Sequence, residues 1–174
     1  ILFTIHYKLI FMKLDDALEE AKKLDEIKEI LDGDGFFCSA FTTLEKDQDI
    51  DLWNLGFYSK GKDEITAVEV TEDGAELGVT DEPLRKNTKK VELDKVEVTG
   101  QGALDKAREK HEEEFGGRYA KILLALRDED GYRWDVVFVG GGTNLIVIKV
   151  SAEDGEIIST EKTSLISQDK SYGG

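Results

Sequence analysis

Trp53-Asn54-Leu55-Gly56-Phe57 and Trp134-Asp135-Val136-Val137-Phe138 hold the only two tryptophans of this 174-residue chain, 81 positions apart. Glu72-Asp73-Gly74 and Glu153-Asp154-Gly155 repeat the same offset of 81. Self-similarity at a fixed period is the sequence signature of a repeated structural unit. The flanking residues therefore read as two copies of one pattern.

Ahead of the first tryptophan, Leu14, Ala17, Leu18, Ala21, Leu24, Ile27, Ile30 and Leu31 recur at spacings of three and four. That periodicity predicts one amphipathic helix of about five turns, closed by Gly33. Leu104, Ala107, His111 and Phe115 repeat the pattern more thinly, closed by Gly116-Gly117. β-branched and aromatic runs follow each helix. They predict strands at 36–44, 52–58 and 65–70 in the first copy, and at 119–127, 133–139 and 145–150 in the second. Asp73-Gly74 and Asp154-Gly155 are tight-turn signals leading into further short strands at 75–79 and 156–160. Val91, Leu93, Val96 and Val98 suggest another strand within the connection. The expected fold is α+β: two copies of a helix followed by a three- or four-stranded antiparallel sheet. The expected units are 12–80 and 100–166, joined by a connector at 81–99.

The second copy quotes a recognisable set of short motifs. They are Gly102-Ala103-Leu104-Asp105-Lys106-Ala107, Tyr119-Ala120-Lys121-Ile122, Tyr132 to Phe138, and Val150-Ser151-Ala152-Glu153-Asp154-Gly155-Glu156-Ile157. In these it resembles a PepSY domain. The first copy resembles the family more faintly, through Leu14 to Ala21, Trp53 to Phe57 and Val70 to Gly74. The resemblance implies a cystatin-like fold, with a helix on a curved sheet, and a role in restraining partners such as peptidases or cell-wall hydrolases. The family has no shared catalytic residues to carry over.

Composition narrows the partner class. The net charge is −15, with 38 acidic against 23 basic residues. Nucleic acid and anionic lipid both select for Lys and Arg, so neither is an expected partner. Arg85, Lys86, Lys89 and Lys90 form the only basic cluster, which reads as a solvated linker. The chain starts Ile1-Leu2-Phe3-Thr4-Ile5-His6-Tyr7-Lys8-Leu9-Ile10-Phe11 ahead of Met12. Its alternation reads as a strand, or as residues upstream of a start at Met12. It is too short to span a bilayer and lacks the marks of a signal peptide. Cytoplasm is the default compartment on that basis, whereas the PepSY resemblance favours an extracytoplasmic one. The polar tail from Ser167 reads as loose.

Candidate chemistry is sparse. Cys38, the single cysteine, sits in the apolar run Phe36 to Phe41 with no cationic neighbour, as a small hydrophobe would. His111 and Glu114 lie one helical turn apart, but no third His or Cys joins them, and His6 is the only other histidine. Gly140-Gly141-Gly142-Thr143-Asn144 precedes a strand rather than a helix, so it reads as a hairpin turn and not a phosphate loop. Asp47 to Asp51 and Asp128 to Gly131 lack the spacing of a calcium loop and read as acidic turns. No catalytic residue, metal site or cofactor is expected.

Val136 to Val139 and Leu145 to Ile148 are apolar on both faces of their strands. One helix covers only one face, so the other must be covered as well. The two copies are then expected to pack sheet to sheet or to form one continuous sheet, with a homodimer as the alternative. The possible ligand or partner surface comprises Trp53, Phe57, Trp134, Val136, Phe138, Ile146 and Ile148. The expected function is a non-catalytic protein-binding or regulatory module. The alternative is a small-molecule-binding protein or small enzyme, with Asp135, His111 or the tryptophans in a pocket between helix and sheet.

Overall fold

Strand pairing carries most of this molecule. In the computed structural model, described over residues 11–84 and 87–164, eight strands form one antiparallel sheet. They are β1 Phe36–Glu45, β2 Trp53–Ser59, β3 Glu64–Thr71, β4 Gly74–Asp81, β5 Lys121–Asp128, β6 Tyr132–Val139, β7 Asn144–Ser151 and β8 Ile157–Ser164. Their order across the sheet is β4-β3-β2-β1-β5-β6-β7-β8. Three helices, α1 Leu14–Ala21, α2 Asp25–Asp32 and α3 Gly100–Phe115, pack on one face.

This arrangement corrects the expected fold class. The strands after each helix do not make two small sheets. They join edge to edge through β1 and β5, with Phe41 opposite Ala125 and Glu45 opposite Lys121. The two halves do not stack face to face. One apolar core runs beneath all three helices and includes Leu55 and Phe57 from the first half and Leu124 and Phe138 from the second.

The single five-turn helix expected near the N-terminus is also corrected. The chain leaves helical geometry at Leu24, whose ψ of 132° is extended, and restarts as α2. A straight helix of that length would run about 27 Å. The break lets α1 lie against β2, β3 and β4 while α2 turns towards β1 and β2. The sheet twists from strand to strand, so two short helices follow it where one long rod would lift off.

Local chemistry accounts for α3. Thr99 caps it, its Oγ1 accepting from the Gly102 amide at 3.0 Å, and Gly116 ends it with a φ of 78°. The segment at 91–98 is no strand: Leu93–Lys95 is a single 3-10 turn. It is tied down on both sides, by Val91 N to Phe37 O at 2.9 Å and by Val98 N to Ala152 O at 2.9 Å. The apolar alternation slips by one residue between Leu93 and Val96, which suits a tight turn better than a strand.

The tryptophans meet at the seam between the halves. β2 and β6 are separated by β1 and β5, so their backbones stand about 14 Å apart. Even so, the Trp53 and Trp134 ring centroids are 5.8 Å apart. The rings lean across the intervening strands, where the buried β1 side chains nearest Trp53 are the small Ala40 and Thr42. Trp53 Nε1 donates to Met12 O at 2.8 Å and Trp134 Nε1 donates to Val98 O at 2.9 Å. Each bond ties the segment leading into a helix, α1 or α3, down to the sheet.

Gly100 lets α3 approach this pair. A Cβ added there would lie 2.8 Å from Trp53 Cη2 and 3.0 Å from Cζ2. Gly100→Val is expected to lower unfolding free energy by about 1–3 kcal/mol through overpacking, as urea titration followed by circular dichroism would show. An unchanged midpoint would mean that α3 is free to shift away from the indole.

Candidate functional site

The residues expected to form a partner surface point into the core. Trp53, Phe57, Trp134, Val136, Phe138 and Ile148 are all at most 1% exposed, and Ile146 packs against them partly buried. The helices cover this face, so no partner reaches these side chains in this conformation. Their size made them conspicuous in the sequence, and the same size places them in the core.

The opposite face carries no helix among the described residues, and its side chains are the alternate set along each strand. Directly opposed residues share a face, so the register places Leu123, Val137 and Val147 in one row across β5, β6 and β7. Val139 and Leu145 form the next row, and Phe41 lies beside Ala125 in the row on the other side. The result is a contiguous apolar stripe. Phe41 is 43% and Leu123 36% exposed. Its signal was legible, since the runs 136–139 and 145–148 are apolar on both faces. Of the two arrangements expected of the halves, the continuous sheet is the one formed; it joins them at an edge and leaves this face without a helix among the described residues.

Charged pairs border the stripe. Arg133 Nε donates to Asp135 Oδ1 at 2.8 Å, and Arg127 Nε lies 3.8 Å from Asp135 Oδ2. Lys149 reaches Glu161 at 3.3 Å and Lys121 lies 3.9 Å from Glu45. Asp135 thus stands between two guanidinium groups on the open face, and its hydrogen bond to Arg133, with the Asp135 and Glu129 charges beside it, holds the Arg133 pKa above its ordinary value.

His111 lies on the other side of the sheet. It is 1% exposed, with ring centroids 4.5 Å from Phe138, 4.8 Å from Tyr119 and 5.5 Å from Phe115. Its Nδ1 has no hydrogen-bond partner among the described residues. Desolvation, and secondarily the Lys46 ammonium, push its pKa below 6.5. Glu114, one turn along, turns away to Lys110 at 3.7 Å. His111 and Asp135 are on opposite faces, so the sheet keeps them from converging on one pocket. Among the described residues, no group of three or more His, Cys, Asp or Glu side chains could hold a metal ion.

The remaining motifs resolve into local structure. Cys38 Sγ lies 3.4 Å from Gly56 O, and burial pushes the thiol up to about 11, far from a reactive thiolate. Gly140 to Thr143 connect β6 to β7, and Asp128 to Gly131 turn β5 into β6 with Asp130 at φ 55° and Gly131 at φ 106°. The loop at 47–51 docks on α3: Arg108 donates to Lys46 O at 2.9 Å and Gln48 O at 2.6 Å. Of the basic cluster, Arg85 and Lys86 lie outside the described residues, as do residues 1–10 and the tail from Ser167. No described helix is long and apolar enough to cross a membrane.

No family model matches the chain, and no curated protein matches it. Among solved structures it is similar to a protein of Clostridium difficile 630 described as a "putative lipoprotein", with a TM-score of 0.57 and 16% identity. The alignment covers 88% of this chain and 95% of that one. At this identity the likeness is one of fold.

Proposed function

We propose that this protein is a non-catalytic protein-binding module that engages its partner through the uncovered face of the sheet. The apolar stripe across β1, β5, β6 and β7 carries the reading. Rows of Val and Leu on an open sheet face, rimmed by ion pairs, have the composition of an interface: apolar centre and polar border. The net charge of −15 disfavours a second copy of the chain and favours a partner whose apolar contact surface is bordered by basic groups. The PepSY resemblance makes a peptidase or cell-wall hydrolase the first partner class to try.

Leu123→Glu tests this, because the side chain touches solvent and not the helix-side core. The wild-type chain and the variant serve as parallel baits in affinity capture, with circular dichroism confirming an equal fold. The expected result is a stoichiometric protein retained by the wild type and weakened about thirtyfold or more by the variant, the loss of a hot spot worth about 2 kcal/mol. Equal retention by both baits, or retention of the chain alone, would refute the proposal.

A further inference from the structure

At the β4 edge of the sheet, α2, the β2–β3 hairpin and β4 enclose a groove of about 310 Å³. Ile30 and Leu77 supply its apolar lining, and Glu26, Glu29, Asp34 and Glu64 its charge, with Lys62 the one basic residue. None of the four carboxylates takes part in an ion pair among the described residues. Against the single Lys62 they leave a net negative field over the half-apolar hollow.

The groove adjoins a free strand. β4 pairs only with β3 among the described residues, so its outer backbone N–H and C=O groups have no strand partner. Native proteins guard such edges with charged side chains, lysine above all, with prolines, or with bulges, and here the guarding charges are all of one sign. From residue 72 to 82 this edge carries Glu72, Asp73, Glu76, Asp81 and Glu82 and no basic residue. Two apolar side chains, Leu77 at 42% and Val79 at 70% exposed, stand among them. The other edge differs: β8 balances Glu161 with Lys162.

We infer that β4 accepts an extended, Lys- or Arg-bearing segment of a partner protein as a ninth strand. Main-chain hydrogen bonds to β4 would hold the segment. Its apolar side chains would meet Leu77 and Ile30, and its cationic ones the carboxylates of α2 and the hairpin. The inference concerns a different surface from the apolar stripe and stands independently of it.

A blocked twelve-residue peptide repeating Lys-Thr-Val-Thr, which sets Lys and Val on the same face of a strand, is the probe (the Lys/Val peptide), with Glu-Thr-Val-Thr (Glu/Val) and Lys-Thr-Gly-Thr (Lys/Gly) repeats as controls. Binding to the full chain is read by fluorescence anisotropy, and the contact by hydrogen exchange of amides 74–81. The Lys/Val peptide is expected to bind and to slow exchange along β4. Glu29→Lys with Glu64→Lys should weaken it about tenfold, whereas Glu109→Lys with Glu113→Lys, an equal charge change on exposed α3 positions, should not. Leu123→Glu should leave it unchanged. No binding, equal binding of the Lys/Gly peptide, protection at β8 instead of β4, or equal loss in both double variants would overturn the inference.

Discussion

Trp53→Ala is expected to lower the unfolding free energy by about 3–5 kcal/mol, the cost of truncating a fully buried large aromatic. Three losses combine. The indole is 0% exposed, so its removal leaves a cavity under the helices. The Met12 carbonyl loses the donor 2.8 Å away, and with it the tie between the segment entering α1 and the sheet. The contact with Trp134 at 5.8 Å across the seam also disappears. Trp134→Ala should cost a similar amount, because it frees Val98 O and the entry to α3. In the double variant the two effects should fall short of additivity by about 0.5–1.5 kcal/mol, the coupling of an aromatic pair. Urea denaturation followed by circular dichroism checks all three. Strict additivity would mean that the indoles stabilise their own halves without bridging them.

Acidification provides the second large effect. His111 sits among three aromatic rings with its pKa lowered by burial and by Lys46, so folding favours the neutral ring. Between the depressed folded value and the unfolded value near 6.5 the unfolded chain binds more protons, and stability rises with pH there. The His111 contribution is therefore complete above pH 6.5. It declines as pH falls from 6.5 towards the folded pKa and levels off below it. Other groups on the facing elements are Lys46 beside Tyr119, with Lys110 and Glu114 on α3 itself. His111→Ala should cost about 2–5 kcal/mol at neutral pH, as loss of a buried apolar side chain does. His111→Phe keeps the ring and removes the proton site. It should recover most of that loss and flatten the stability profile just below pH 6.5. Thermal unfolding at stepped pH decides the matter: a wild-type profile as flat as that of His111→Phe would show that His111 does not titrate in this window.

How far the fold could be read in advance depends on the range of the interaction that sets each feature. Strand positions in β1, β2, β3, β6 and β7 agree with the periodicity to within one or two residues, since alternation and β-branching act locally. Turn chemistry at Asp73-Gly74 and at Gly140 to Gly142 is equally local. β8 runs to Ser164, four residues past expectation, because Glu161, Lys162 and Thr163 face an edge where pairing with β7 rather than apolarity extends the strand. The break at Leu24 escaped the helix pattern, because Leu24 satisfies the spacing of both a continuous helix and two short ones. Only the twist of the sheet beneath distinguishes them. For the candidate site, doubly apolar strands were legible and the side facing outward was not.

By itself the sequence determined where strands and turns lie, which side chains alternate, and that the two tryptophan stretches occupy comparable settings. Tertiary structure alone decided that β1 pairs with β5, that the two sets of strands share one core, and that no described helix covers the stripe through Leu123, Val137 and Val147. The reason is physical. Side-chain periodicity records which face of a strand is apolar, whereas edges pair through backbone groups that every residue carries alike. Helix coverage of one face then follows from which edges have met.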